Sequence, residues 1–305
     1  MTISENPTHE ADLKRGREAS RPSHIPFTGW KDIFWRLVRE IGDDRVMLIA
    51  AGVTFYLLLA LFPALAAFVS VYGLLSDPAT VAEQIRFLDG LIPAGGLELV
   101  NDQLLSLAIQ SRDALSLGFF FSLGIALWSA NNGVKTLFDA LNVAYEEREK
   151  RGFIKLHVVT FAFTLSVILV GVVMFVTIGL VPALLAFLPL GAFVEDLIRL
   201  LRWPLLVVFV WSGISILYRY GPSRARAKWR WITWGGFLAA IAWFATSIGF
   251  SYYLENFANY NAVYGSLGAA VGLMMWLWLS VTIILVGAEI NAEIEHQTKR
   301  DSTVG

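Results

Sequence analysis

Long apolar runs, each bounded by charged residues, are the feature that most constrains how this chain folds. Six of them occur, at about 46–76, 115–137, 156–188, 203–217, 232–254 and 266–288. A helix needs roughly 20 apolar residues to cross the hydrocarbon core of a bilayer, and only helices and closed barrels pair all their backbone groups there. The sequence therefore predicts an all-α, polytopic integral membrane protein with six transmembrane helices.

The composition favours the same class of protein. Of the 305 residues, 56% are hydrophobic and only 16% are charged, which is more apolar surface than one soluble core can bury. We therefore expect the excess to face membrane lipids, the first partner that the sequence indicates. A net charge of −1 gives no overall basic field for nucleic acid, and the absence of cysteine removes disulfides and Cys-based metal sites.

Lysine and arginine alternate between the connections, and this alternation predicts the orientation of the chain. Basic residues concentrate before the first apolar run, at 148–155, at 219–230 and after the last run. Basic connections stay on the cytoplasmic side of a membrane, so both termini are predicted to be cytoplasmic. The predicted organisation is a flexible tail at 1–29, a transmembrane domain at 30–295 and a second tail at 296–305.

Two further segments have helical patterns outside the six runs. Between 30 and 45, apolar residues recur at helical spacing among charged ones, which favours an amphipathic helix on the membrane surface over an ordinary solvated helix start. Between 77 and 113, two amphipathic patterns flank a Pro-Ala-Gly-Gly sequence. They predict an extracytoplasmic loop built from two short helices.

Polar side chains near or within the apolar runs are the candidates for a substrate pathway, because a charge in lipid is costly unless it faces protein or water. Positions 131, 135, 139 and 142, at the end of the second run and just after it, share one helical stripe. Three polar positions, 289, 291 and 293, directly follow the sixth run. The alternative is that these groups only mark where each helix leaves the lipid. The candidates are Asn131, Asn132, Lys135, Asp139, Asn142, Glu289, Asn291 and Glu293.

Two of these charges have a predicted relation to each other. Lys135 and Glu289 lie at the same predicted membrane depth, so we expect them to form one electrostatic unit between two helices. Asp139, one turn from Lys135 on the same helix, is the rival partner.

Glycine and proline predict where the helices pack and bend. Gly268 and Gly272 form a GxxxG pattern with Gly265 nearby, which allows close approach of another helix. Pro63 breaks one hydrogen bond of the first helix and predicts a kink there. Small-residue faces of this kind serve packing more often than they form moving interfaces. The kink at Pro63 can be either a hinge or a simple bend.

Motifs of catalysis and energy coupling do not occur in the sequence. The four histidines, at 9, 24, 157 and 296, are scattered, and neither a Walker A loop nor GxSxG is present. We therefore expect no enzyme activity, no metal site, no cofactor and no ATP hydrolysis by this chain.

Four separated segments resemble the YihY/BrkB family of bacterial inner-membrane proteins. They are AAGVTFYLLLALFPAL at 50–65, WSANNGVKTLFDALNVAYEERE at 128–149, LYRYGP at 217–222, and the long segment from YNAVYGS to NAEIE at 260–295. The resemblance covers about 30–295 and implies a six-helix protein of the bacterial inner membrane linked to envelope properties and serum resistance. Relatives labelled ribonuclease BN have a name that this sequence contradicts, because the histidine-rich motif of such a nuclease is absent.

Together these observations favour a passive or ion-coupled transporter or flippase for an envelope-related molecule that is amphipathic or anionic. The substrate would be a lipid or a small anion, attracted by Lys135 and by the basic connection at 219–230. A non-transporting scaffold in envelope assembly is the first alternative, and an intramembrane enzyme is the second. Assembly into a homo-oligomer stays open.

Cysteine labelling tests the orientation, because any introduced cysteine is the only thiol in the chain. Cysteines at Ser106, Gly191 and Asn259 should react with a membrane-impermeant reagent added to intact cells. Those at Ser23, Ala227 and Ser302 should not react until the cells are permeabilised. Labelling at Ser302 from outside would contradict an even number of spans.

Overall fold

The computed structural model describes residues 15–75, 112–175, 192–224, 228–256 and 268–298, and within these ranges the fold is all-helical, with no strand. A short 3-10 turn lies at Pro22–His24. The seven α-helices are α1 at Phe27–Asp43, α2 at Val46–Leu75, α3 at Arg112–Ala144, α4 at Phe153–Phe175, α5 at Ala192–Tyr220, α6 at Trp229–Asn256 and α7 at Gly268–His296.

Helices α2 to α7 coincide with the six predicted apolar runs, although their ends differ. Helices α3, α5 and α7 extend beyond the predicted ends because charged residues, such as Asp139 of α3 and Glu289 of α7, continue the helix instead of ending it. In α5 the helix starts at Ala192, before a charged stretch that the sequence analysis had excluded from the span. Helix α2 runs through Pro63 to Leu75. The predicted helical loop at 77–113 and Gly265 lie outside the described residues, apart from the first two residues of α3.

By length and apolar composition, two helical segments of the described ranges can cross a membrane: Trp234–Leu254 and Ala270–His296. A third span results if Phe27–Asp43 and Val46–Leu61, which meet at an angle of 56°, are taken together. Phe153–Leu169 and Pro204–Tyr220 are shorter apolar helices. The count of six spans and the orientation stay predictions.

The core of the bundle consists largely of small side chains. Ala50 of α2, Ala140 of α3, Ala240 of α6 and Ala288 of α7 are all at most 4% exposed and belong to one cluster. Many large apolar side chains instead point outward, among them Phe120, Val158, Phe161 and Leu205. Helix association in lipid relies on close packing of small residues, and a large exposed apolar surface requires lipid to cover it.

Helices α6 and α7 pack antiparallel and are joined by two matching hydrogen bonds. The indole N–H of Trp243 donates to Ser280 Oγ at 2.9 Å, and the indole N–H of Trp276 donates to Ser247 Oγ at 3.2 Å. Each bond joins a tryptophan of one helix to a serine of the other. These tryptophans are therefore packing residues and do not mark the membrane surface.

The tightest approach between these helices is at Gly235 and Gly287, because a Cβ at Gly235 would collide with the Gly287 carbonyl oxygen. A Cβ at Gly287 would lie 2.5 Å from Tyr218 Oη and 2.6 Å from Ala239 Cβ. At Gly272 of the predicted GxxxG pattern, an added Cβ would only meet Leu254 at 3.8 Å, an ordinary contact. Gly268 is buried at the start of α7.

Gly287→Ala tests this contact. The added methyl group has no space, so the variant should lose about 1–3 kcal/mol of stability. Gly213→Ala is the matched control, because no described atom lies within 4 Å of a Cβ at Gly213. Thermal unfolding of the purified variants in detergent measures both. Equal melting temperatures for Gly287→Ala and the control would show that α6 and α7 do not meet as described.

Candidate functional site

One end of the bundle collects most of the buried polar side chains, and we call it the polar end. It consists of α1, the end of α3, the connection at 221–224 and the last turns of α7. Five polar side chains are at most 9% exposed there: Glu289, Asn291, Glu293 and Glu295 of α7, and Gln297, which directly follows the helix. Buried carboxylates are costly without partners, so the contacts of these residues decide whether the polar end is a pathway or a structural junction.

Glu295 forms a two-point ion pair with Arg224 from the α5–α6 connection. The guanidinium donates Nη1 to Oε2 at 2.8 Å and Nη2 to Oε1 at 3.1 Å, and both side chains are below 9% exposed. The guanidinium carbon also lies 3.8 Å from the ring centroid of Tyr145. Burial opposes the charge of Arg224, but the bonded carboxylate outweighs it and raises the pKa of Arg224.

Glu293 is held by α1. Arg36 donates Nε to the Glu293 carboxylate and Nη2 to the Glu293 carbonyl oxygen at 3.2 Å. The same Nη2 donates to Gln297 Oε1 at 2.8 Å, and Gln297 in turn donates to the Arg15 carbonyl oxygen at 2.7 Å. These bonds fix α1 and the segment before it against the end of α7, so Glu293 has a structural role here.

Asn291 and Asn142 are also fully engaged by the protein. Asn291 is 0% exposed and its Oδ1 accepts the backbone N–H of Gly235, the seventh residue of α6, at 2.8 Å, which joins α7 to α6. Asn142 Oδ1 accepts the backbone N–H of Ser223 at 2.7 Å, and its amide donates to Glu149 at 3.1 Å. Both asparagines therefore bind protein groups and join separate segments of the chain.

Glu149 joins the connection between α3 and α4 to this junction. Burial alone would raise the pKa of its carboxyl, but hydrogen bonds from the Arg151 backbone N–H, Asn142 and Ser223 hold the pKa below its ordinary value. Arg151 also donates to the carbonyl oxygen of Gly221 at 2.6 Å. The α3–α4 and α5–α6 connections are therefore linked by charge-assisted bonds.

The predicted pairing of Lys135 with Glu289 is wrong, since no ion pair joins them among the described residues. Lys135 instead acts on Asp139, one turn along α3, which is the rival arrangement. Glu289 is 2% exposed and lies beside Asp44, in the break between α1 and α2. The other charged groups that act on Glu289 are Glu293 and Glu40, which also lie at the polar end, so Glu289 belongs to the junction and not to the α3 stripe.

The remaining candidates lie on α3 and are less enclosed. Asn131, Asn132 and Lys135 are half-buried, and Asp139 is exposed. The side-chain oxygen of Asn131 is hidden from solvent and has no hydrogen-bond partner among the described residues. An unmet polar atom of this kind is costly and needs an explanation.

Asn131 lines a groove of about 470 Å³ between α3 and α4. The other lining residues are on α4: His157, Val158, Phe161, Ala162 and Leu165. Because a helix rises 1.5 Å per residue, His157 and Leu165 are about 12 Å apart along α4. The groove is thus open and largely apolar, it follows the outside of the bundle, and Asn131 is the residue of α3 that lines it.

Sequence reasoning missed the groups that close the polar end, namely Arg36, Asp44, Tyr145, Arg224, Glu295 and Gln297. Glu295 and Gln297 extend the polar pattern of Glu289, Asn291 and Glu293, so the pattern itself was the available signal. Nothing in the sequence indicates which arginine binds which carboxylate, because the partners are 71 and 257 residues apart.

The comparisons with known proteins agree on a membrane family. The sequence model of the virulence factor BrkB family matches residues 37–304. The ribonuclease-like protein YfkH of Bacillus subtilis (strain 168) is 30% identical over 291 residues, which is 88% of this chain and 96% of YfkH. UPF0761 membrane protein PSHAa0171 of Pseudoalteromonas translucida (strain TAC 125) is 24% identical over 90% of this chain and 88% of its own length.

UPF0761 membrane protein Bxeno_A3061 of Paraburkholderia xenovorans (strain LB400) is 27% identical over 82% of this chain, but the chain spans only 56% of that relative. No solved structure matches. The apolar helices, the exposed apolar surface and these relatives define an all-helical membrane protein. The chain belongs to the virulence factor BrkB family.

A double-mutant cycle tests the ion pair of the polar end. Arg224→Gln or Glu295→Gln alone leaves one buried charge unpaired and should cost about 3–5 kcal/mol, whereas the double variant should be much closer to the parent. Arg39→Gln is the control, because the Arg39 side chain is 64% exposed and pairs only with its neighbour Glu40 in the described structure. Thermal unfolding of the parent, the two single variants and the double variant in detergent gives the coupling free energy between Arg224 and Glu295. Additive effects of the two substitutions would contradict the pair.

Proposed function

We propose that this chain is a transporter or flippase that moves an amphipathic, anionic envelope molecule across the bacterial inner membrane without hydrolysing ATP. The proposal includes six membrane spans, with both termini in the cytoplasm. The alternation of basic connections along the sequence supports this orientation. With this orientation, the polar end would lie at the cytoplasmic surface.

The observation that carries the proposal is the polar stripe of α3 next to an apolar groove. Asn131 faces the groove, and Lys135 and Asp139 follow it at successive turns of the same face. An amphipathic molecule needs both surfaces at once, since its polar head must avoid hydrocarbon while its chain avoids water. A polar stripe beside an apolar groove offers these two surfaces side by side.

The charges of the stripe favour an anion. Lys135 is a half-buried cation whose neighbour Asp139 is the more exposed of the two. A phosphate or carboxylate head can approach Lys135 and lower the cost of keeping that charge next to lipid.

A non-transporting scaffold is the second candidate, and the closed polar end favours it. Glu293, Glu295, Asn142 and Asn291 all bind protein groups there, so the residues first expected to form a mouth are used to join helices. A scaffold predicts that neutralising Lys135 leaves function intact. A transporter predicts that the same change removes function without unfolding the protein.

The proposal also holds that the chain is not an enzyme. The ribonuclease-like name belongs to YfkH, and the four scattered histidines of this sequence support a function other than metal-dependent hydrolysis of RNA. The purified chain should leave RNA uncut in the presence of Mg²⁺, Mn²⁺ or Zn²⁺.

Reconstitution tests the transport. In proteoliposomes that contain fluorescent phosphatidylglycerol, the labelled lipid of the inner leaflet should reach the outer leaflet and be quenched by an external reagent. This quenching should be faster than in liposomes with the same lipids but without the protein. Lys135→Met should slow this exchange about tenfold, equivalent to the loss of one charge interaction of about 1.4 kcal/mol, at an unchanged melting temperature. Lys155→Met is the control, because Lys155 is exposed at the start of α4.

Two results would contradict the proposal. If the parent protein accelerates no exchange of phosphatidylglycerol or of other anionic lipids and metabolites, the scaffold is the better candidate. If Lys135→Met and Lys155→Met slow exchange equally, the α3 stripe is not the pathway.

A further inference from the structure

Arg219, in the last turn of α5, differs from the other buried arginines of the polar end. Its Nε and Nη1 atoms are hidden from solvent and have no hydrogen-bond partner among the described residues. Arg151 and Arg224 also have one such nitrogen each, but their charges are matched by carboxylates at 3.6 Å and 2.8 Å. No carboxylate of the described structure pairs with Arg219.

Aromatic rings cover Arg219 without satisfying its donors. The guanidinium carbon lies 4.5 Å from the ring centroid of Trp229 and 5.7 Å from that of Tyr220. A cation–π contact uses the flat face of the guanidinium, whereas its N–H groups point outward in the plane. The contacts therefore hold the side chain in place while Nε and Nη1 are covered by protein, and Nη2, which is not among the hidden unpaired atoms, is the nitrogen left for an outside acceptor.

Arg219 also does not behave as an arginine that only extends into water. Such a side chain keeps its N–H groups hydrated, whereas two of the nitrogens of Arg219 are shielded. Trp229 is itself 47% exposed, and indole rings prefer the headgroup layer of a membrane. A guanidinium held against such a ring, with no carboxylate partner among the described residues, suits an anion of the headgroup layer.

We infer that Arg219, held against Trp229, binds the phosphate of an anionic lipid headgroup. Nη2 is the nitrogen of Arg219 that can donate to a phosphate oxygen, and charge-assisted hydrogen bonds of this kind are about twice as strong as neutral ones. The inference deepens the proposed function and rests on it for the choice of a lipid over a soluble anion. It assigns the headgroup contact to the end of α5 and the first residue of α6, separate from the α3 stripe.

Lipid binding in detergent tests the inference. Native mass spectrometry of the purified chain, titrated with phosphatidylglycerol or phosphatidylcholine of equal chain length, gives the two affinities. The parent should prefer phosphatidylglycerol. Arg219→Gln should weaken phosphatidylglycerol binding about tenfold and remove the preference, as expected for loss of a charge-assisted pair.

Two further variants separate charge, geometry and folding. Arg219→Lys keeps the charge but loses the planar guanidinium that contacts the Trp229 ring, so it should bind several-fold more weakly than the parent. Arg39→Gln, an exposed arginine on α1, should bind like the parent. If Arg219→Gln does not fold, as judged by thermal unfolding, Arg219→Lys serves as the test in its place.

Each result decides the assignment. Parent-like binding of phosphatidylglycerol by Arg219→Gln would overturn it, and so would displacement of the lipid by millimolar inorganic phosphate, which would indicate a site for free phosphate. Binding needs no transport. If the chain binds phosphatidylglycerol through Arg219 but exchanges no lipid, the inference holds and the transporter is contradicted. If the chain exchanges lipid and Arg219→Gln changes neither exchange nor binding, the transporter holds and the inference is contradicted.

Discussion

The acidic end of α7 is the constraint on which the rest of the fold depends. Three glutamates in its last two turns are buried, and α1, the break after it and the α5–α6 connection each place a charged side chain beside one of them. Arg36 comes from α1, Asp44 from the break after it, and Arg224 from the α5–α6 connection. Because these segments are distant in sequence, the end of α7 sets where the helices stand relative to one another.

This arrangement divides the polar groups of the molecule into two kinds. At the polar end, the charges of Arg36, Arg151 and Arg224 are matched by carboxylates, and removal of one member of a pair leaves a buried charge. Tyr145, Arg151 and Arg224 still keep one hidden polar atom each without a hydrogen-bond partner among the described residues. Arg219 differs because no carboxylate of the described structure pairs with it, and Asn131 differs because it lines an open groove, so these two residues direct attention to the end of α5 and to the outer face of α3.

The sequence predicts the helices well because lipid allows few alternatives. Within the described residues, each apolar run lies in a helix, and α1 forms where the amphipathic pattern predicts it. Helices α3, α5 and α7 are longer than predicted because charged residues such as Asp139 remain helical instead of ending the helix. Partners were missed for a different reason: helical spacing shows which face a residue is on, but not which distant arginine reaches it. Asn291 was therefore taken for a pathway residue, although it binds the backbone of Gly235.

The reciprocal tryptophan–serine bonds between α6 and α7 limit how any conformational change can occur. One residue of sliding displaces a helix by about 1.5 Å, enough to break both indole bonds at once. Together with the contact of Gly235 and Gly287, they fix the register along much of the helix pair. The two helices must then rotate or tilt as a single body. Alternating exposure of the groove therefore requires α4, which packs mainly against α3, to move relative to that body.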